Sequence, residues 1–223
     1  FLNMQTITKE MYLGLDASHL DSINGFQGTN KALEALSALI KAAAADGLSL
    51  AIASSYRSFE RQLLIFNDKF KGKRQVLDAH EKPLDLSTFT ISAKCEAILR
   101  FSAIPGMSRH HFGTDFDIYS PSLLPKGQKL QLTAWEYDKG QYFYPLGQWL
   151  LENLEKYGFY RPFDGSGHIA YEPWHISYKQ EAELFIKAYE VKELIAYLRT
   201  LNFAWVPYIE EKLNSLGKSL LGI

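Results

Sequence analysis

Met107-Ser108-Arg109-His110-His111-Phe112-Gly113-Thr114-Asp115-Phe116-Asp117-Ile118 is the stretch on which the reading of this chain turns. Two imidazoles and two carboxylates fall within the eight positions from His110 to Asp117, broken by Gly113. Gly113 to Ile118 reads as a strand, and the two-residue period of a strand puts Asp115 and Asp117 on one face. A second cluster, Tyr171-Glu172-Pro173-Trp174-His175, adds one imidazole and one acid, with His175 standing 58 residues beyond Asp117.

Two His and one Asp make a three-ligand set for zinc that leaves a fourth position for water. A Glu that is not a ligand can take a proton from that water. Polarising an amide carbonyl and generating hydroxide at neutral pH are the two needs of peptide hydrolysis, so the set reads as the centre of a zinc peptidase. Spacing alone leaves the ligands open: His111 competes with His110, and Asp115 with Asp117. The helical H-E-x-x-H arrangement is absent. Gly165-Ser166-Gly167 is no G-x-S-x-G nucleophile elbow, and there is no glycine-rich phosphate cradle.

Upstream, Leu33, Leu36, Leu39 and Ile40 recur at helical spacing through an alanine-rich run. Thr29 or Asn30 caps this helix and Gly47 stops it. Leu48 to Ala53 is short, apolar and bounded by Gly and Ser, which predicts a buried strand. It delivers Ser54-Ser55-Tyr56-Arg57-Ser58 to the start of a second helix, Phe59 to about Phe70. Arg57 at that junction either faces a cleft or caps its own neighbourhood at the surface. Residues 1–28 read as loops with a short strand, and residues 71–88 as loop. The basic run Lys69, Lys71, Lys73, Arg74 reads as a solvated loop face in preference to an anion patch. Cys95 lies in an amphipathic helix ending near Ser102 and is expected to be a packed, inert thiol.

Downstream, Tyr119 to Gln141 is a long polar connection of the kind that forms lids or binding walls. Trp135 and Tyr137 either line such a wall or pack on the body. Tyr144 to Tyr157 is a helix stopped by Gly158. His168 to Glu172 is expected to be a strand, with Glu172 kept extended by Pro173. Two amphipathic helices follow, at roughly 180–200 and 207–216, the second with Pro207 in its first turn.

At 223 residues the chain is read as one domain, 1–223. A formal net charge of −1 supplies no field to draw in nucleic acid, and no apolar run reaches membrane-spanning length. With one cysteine no intramolecular disulfide and no cysteine-based metal site can be built. The chain begins at Phe1 rather than Met, so the expectation is that a segment carrying any export signal has been removed upstream.

Three motifs in order carry a resemblance. Ser108, His110, Gly113 and Asp117 spell S-x-H-x-x-G-x-x-x-D, Glu172 to His175 spell E-P-W-H, and Ser54 to Ser58 with Gln62 spell S-x-Y-R-S-x-x-x-Q. Together the pattern resembles the zinc D-Ala-D-Ala carboxypeptidases of the VanY type, over about residues 45–180. The resemblance implies an α+β fold: a small antiparallel sheet carrying the zinc site, with helices packed around it. The motif-bearing core would cover about 30–180, and a helical C-terminal extension about 180–223.

It also implies the roles. His110, Asp117 and His175 would be the Zn2+ ligands, and Glu172 the general base. Arg57 would hold the scissile carbonyl oxygen as it gains charge. Ser108 and Gln62 would hold the substrate's terminal carboxylate, Trp174 would form pocket wall, and His111 would orient the site without binding metal. The implied substrate is a peptidoglycan stem peptide or muropeptide losing a C-terminal D-Ala, cut at a D,D or an L,D bond. The place of action would then be periplasmic or otherwise extracytoplasmic, or the cytoplasm during wall recycling. A zinc-stabilised wall-binding module without turnover and a peptidoglycan endopeptidase are the rival readings. Asp115 departs from the family pattern, which often has alanine there. It would either orient a ligand histidine or select a basic group in the substrate.

Overall fold

A computed structural model describes residues 2–223. The chain opens with a short helix, α1 (Lys9–Tyr12), and a hairpin of β1 (Asp21–Ile23) and β2 (Phe26–Gly28). Helix α2 (Asn30–Ala45) leads into β3 (Ala51–Ser54) and α3 (Phe59–Phe70). A second hairpin, β4 (Val76–Leu77) with β5 (Pro83–Leu84), precedes α4 (Ile91–Leu99). Then come β6 (Asp115–Tyr119), α5 (Tyr144–Asn153), β7 (Phe159–Tyr160) and β8 (His175–Tyr178). Helices α6 (Lys179–Ala188), α7 (Val191–Leu198) and α8 (Val206–Leu216) complete the order. The α+β class expected from the sequence is the class observed.

The site rests on a four-stranded antiparallel sheet of order β3-β6-β8-β7. In register, Asp117 pairs with His175 and Asp115 with Ser177. Paired residues share a face, so four polar side chains stand together on one side of the sheet. The intervening Phe116, Ile118 and Ile176 point the other way, into a core with Leu33, Leu36 and Leu39 of α2 and Leu146 and Leu150 of α5. A second core gathers Phe59 and Phe66 of α3, Ile98 of α4, Phe185 of α6, Leu194 of α7 and Ile209 of α8. The C-terminal helices thus share a core with α3 and α4.

Local chemistry sets the boundaries. Thr29 caps α2 by accepting from the Ala32 amide and donates its own hydroxyl proton to Glu181 at 2.5 Å. Gly113 carries φ +79°, and a Cβ there would meet a Leu20 methyl at 2.3 Å, so only glycine makes this turn into β6.

Several expectations are corrected. No strand forms over His168–Glu172; the strand is His175–Tyr178. Pro173 has no amide proton for a ladder, and the Glu172 amide donates to the Phe163 carbonyl at 2.9 Å instead. The predicted helix over 180–200 is two helices, because Tyr189 turns extended (ψ 125°). Its ring is buried against Tyr12 and its hydroxyl donates to the Gly106 carbonyl. Residues 1–28 and 71–88, read largely as loop, contain α1 and the two hairpins, whose strands of two or three residues are too short to show a period. The helix before Gly158 gives way after Asn153 to a final tight turn, Glu155–Tyr157. Cys95 is buried, and burial pushes its thiol up to about 11. No helix is long and apolar enough to cross a membrane, among the described residues.

Candidate metal centre and cleft

His110 enters from a tight turn, Arg109–His111, that precedes β6. Ser108 caps that turn, its Oγ accepting from the His110 amide at 3.2 Å. His110 Nδ1 lies 2.9 Å from the Ser55 carbonyl, which can only accept, so Nδ1 carries the proton. Nε2 is left with a lone pair and stands 3.3 Å from Asp117 Oδ2. His175 is fixed the other way round. Its Nε2 meets the Asp115 carboxylate at 2.7 Å, and its Nδ1 lies 3.5 Å from Asp117 Oδ1 and 3.6 Å from Glu172 Oε2.

One donor atom from each of His110, Asp117 and His175 therefore lies within 4.8 Å of the others. Asp117 Oδ1 is buried with no hydrogen-bond partner among the described residues. An anionic oxygen left unsatisfied out of water is costly. Two imidazole lone pairs beside it complete a donor set that suits zinc, which takes His nitrogen and carboxylate oxygen at about 2.0–2.2 Å. The residues fit a divalent cation.

Behind His175 stands a network that the motifs do not reveal. Asp115 is fully buried. Its Oδ2 accepts from His175 and from Arg109 Nε (2.8 Å), and its Oδ1 from Thr114 Oγ1 (2.8 Å) and Ser177 Oγ (2.7 Å). Arg109 spends its other nitrogens on the Leu221 carbonyl, Tyr160 Oη and Ser177 Oγ. Burial alone would raise the Asp115 carboxyl; the charge of Arg109 and the bond to His175 hold it far below the usual range. Burial works against a charge on His175, yet the bond to Asp115 and the nearby Glu172 and Asp117 carboxylates push it up to about 10, so a cation at Nδ1 would displace a proton. The same negative field favours a cation at Nδ1. Asp115 orients His175 and has no exposed surface with which to select a basic substrate.

His111 is tied elsewhere. Its Nδ1–H donates to the Arg57 carbonyl (2.7 Å) and its Nε2 accepts from the Gly106 amide (3.1 Å). Burial pushes it down to about 3, so it is neutral, with both nitrogens used. Arg57 is held at the backbone by His111 and by its own amide on the His110 carbonyl (3.0 Å). Its guanidinium donates to Gln62 Oε1 (3.0 Å) and Ser54 Oγ (3.2 Å). Gln62 is 1% exposed and its Nε2 donates to the Ala103 carbonyl, so its amide serves to position Arg57.

All of these meet in one cavity of about 410 Å³, lined by Arg57, Gln62, Ser108, His110, Asp117, Glu172, Trp174 and His175. Arg57 is thus a cleft residue. Trp174 packs its buried ring against Tyr137. From the long 119–141 connection it is Gln131 and Leu132 that form wall, while Trp135 and Tyr137 lie off the cavity. Glu81 holds that wall by accepting from the Ala134 and Trp135 amides (2.6 and 3.1 Å). The basic run is not a solvated face throughout. Lys69 and Arg74 line the cavity, because α3 extends to Phe70 and carries Lys69 on the side of Gln62. Sequence reasoning gave Arg109 no role and preferred a solvated face for Lys69 and Arg74, yet all three line the cavity. The usable signal for Lys69 was its helical spacing from Gln62.

A His–Asp–His cluster that could hold a metal ion, with a carboxylate nearby, stands on the polar face of a small antiparallel sheet. Residues 27–181 match the family VanY, D-alanyl-D-alanine carboxypeptidase, and the chain belongs to that family. An uncharacterized protein of Haemophilus influenzae is 51% identical over 84 residues, covering 36% of this chain and 64% of its own length. The match therefore spans less than two thirds of that relative. Among solved structures, VanYB in complex with D-alanine-D-alanine has a TM-score of 0.51 at 24% identity, covering 79% of this chain and 87% of its own. A vancomycin-resistance D,D-pentapeptidase VanY in complex with Zn(II) also has a TM-score of 0.51, at 23% identity, covering 87% and 92%. At these identities the two structures share the fold.

Proposed function

We propose that this chain is a zinc-dependent carboxypeptidase that removes the C-terminal D-amino acid, D-Ala, from peptidoglycan stem peptides. The reading rests on family membership and on one observation: Asp117 and His175 face each other across β6 and β8 with His110 and Glu172 beside them. His110, Asp117 and His175 would hold the zinc, as a related VanY does hold Zn(II). Zinc bound there supplies a Lewis acid for the scissile carbonyl and lowers the pKa of a water to about 7.

The protein's own residues do the rest. Glu172 takes the proton of the attacking water and passes it to the departing amine. Arg57, braced by Gln62 and Ser54, donates to the carbonyl oxygen as it gains charge. Ser108 would help hold the substrate's terminal carboxylate and Trp174 would close a wall, while Gln62, its amide spent on Arg57 and Ala103, would act through Arg57. A wall-peptide substrate would be met outside the cytoplasmic membrane, or in the cytoplasm during wall recycling.

Purified tetrapeptide and pentapeptide muropeptides, digested with and without a chelator and weighed by mass spectrometry, test this. Chelator-sensitive loss of one alanine is expected, and the peptide that shortens names the bond. Zinc-loaded protein that shortens neither would sink the carboxypeptidase.

A further inference from the structure

Helix α3 presents Gln62, Ile65 and Lys69 on one face, and all three line the same cavity as the His–Asp–His cluster. A run of contacts connects them. Arg57 donates to Gln62, Gln62 donates to the Ala103 carbonyl, and Lys69 Nζ donates to the hydroxyl of the adjoining Ser102. This side of the cleft thus has a cation at each end, and Arg74 adds a third to its lining.

Glu172 lends Arg57 and Lys69 a favourable field from a distance, but neither has a carboxylate in contact. Among the described residues, no carboxylate forms an ion pair with Arg57, Lys69 or Arg74. The acids that share the cavity are engaged otherwise. Asp117 belongs to the metal cluster, Glu172 stands beside His175, and Glu81 is capped by the Ala134 and Trp135 amides. The Ser102 hydroxyl accepts one hydrogen bond from Lys69 but carries no charge to offset it. Burial, together with the nearby charges of Arg74 and Arg57, lowers the Lys69 ammonium to about 8. An ammonium in that condition gains from an anionic partner far more than one in water does.

We infer that Lys69, seconded by Arg74, forms a carboxylate-binding subsite in the cleft that takes an acidic group of the substrate peptide. This rests on the peptidase reading above and adds to it a residue pair that the motifs leave out. Two groups carry the required chemistry. One is the terminal carboxylate of the residue to be released; the other is a side-chain carboxylate further along the peptide.

The test uses zinc-loaded protein as wild type, Lys69→Met, Lys69→Arg and Arg74→Gln. Calorimetry with N-acetyl-D-alanine and with N-acetyl-D-alaninamide reads the subsite without turnover. Kinetics on two stem peptides that differ by one side-chain carboxylate read it during turnover. We expect Lys69→Met to weaken the acidic ligand roughly ten- to hundredfold, the usual worth of a charge-assisted hydrogen bond. Lys69→Arg should stay within a few-fold of wild type, and Arg74→Gln, at an exposed position, should lose less than Lys69→Met.

Loss for N-acetyl-D-alanine but not its amide assigns the terminal carboxylate. Loss confined to KM for the peptide with the extra acid assigns the side chain. Equal loss for acid and amide, or no loss in any variant, overturns the subsite. Wild type that binds N-acetyl-D-alanine through Lys69 yet shortens neither peptide sinks the carboxypeptidase and leaves the subsite standing.

Discussion

His175 can offer only one of its two nitrogens to a cation, because Asp115 holds the proton on the other at 2.7 Å. That fixed tautomer is the main contribution of Asp115, and Arg109 fixes Asp115 in turn. Removing such a partner typically costs ten- to hundredfold in metal affinity. Asp115→Asn should therefore weaken zinc by roughly that factor, read by competition against a chelator of known affinity. Unchanged affinity would show that packing alone sets the ring. Glu172, unlike Asp115, stands on the Nδ1 side of His175, at 3.6 Å, and is not among the three candidate donors. Glu172→Ala should keep its zinc and lose roughly 10²- to 10⁴-fold in turnover. Metal analysis with kinetics on that variant decides it, and a near-wild-type rate removes Glu172 from the mechanism. Spacing alone left His111 and Asp115 as rivals in the sequence, and the resemblance of short motifs singled out His110, Asp117 and His175, the three that the fold brings together. The part of Arg109 was not legible, although it lies within the central stretch: its partners Tyr160, Ser177 and Leu221 are 51, 68 and 112 residues away.

At the scale of elements, the cleft is an assembly of a sheet face, one helix face and a loop. The pairing of β6 with β8 brings two donors together, and α3 supplies Arg57's brace and Lys69. The loop contributes Gln131 and Leu132, with Leu132 at φ +54°, an uncommon conformation for a leucine. Glu81, itself at φ +61° in the turn between β4 and β5, clamps that loop from a different part of the chain. Loss of a carboxylate cap on two amides is worth about 1 kcal/mol. Glu81→Ala should therefore raise KM several-fold with little change in kcat, and should speed proteolytic cutting within 119–141. An unchanged KM would mean that the wall holds without its clamp. Long periodic helices such as α2 and α3 were readable from sequence. The strand at His175–Tyr178 was misplaced because a run of four residues carries too little period to outweigh the apolar run before Pro173.

For the molecule as a whole, the polar face of the sheet lies between two hydrophobic cores, and the unsatisfied Asp117 oxygen is buried there. A cation that binds the folded state alone adds stability by mass action, about 2.7 kcal/mol at a hundredfold excess over its dissociation constant. Stripping zinc with a chelator should lower the unfolding midpoint, and returning zinc should restore it, as measured by calorimetry. A midpoint indifferent to zinc would count against the donor set. The class of fold was legible from three motifs, but the sharing of one core by α3, α4 and α6–α8 was not, since amphipathic stripes do not name their partners.

Arg109 closes its network on the carbonyl of Leu221 at 2.8 Å. During synthesis the histidines and carboxylates of the centre emerge well before that carbonyl exists. The candidate donor set therefore emerges with its support incomplete, and the Arg109 network closes only once the segment carrying Leu221, 112 residues after Arg109, has been made.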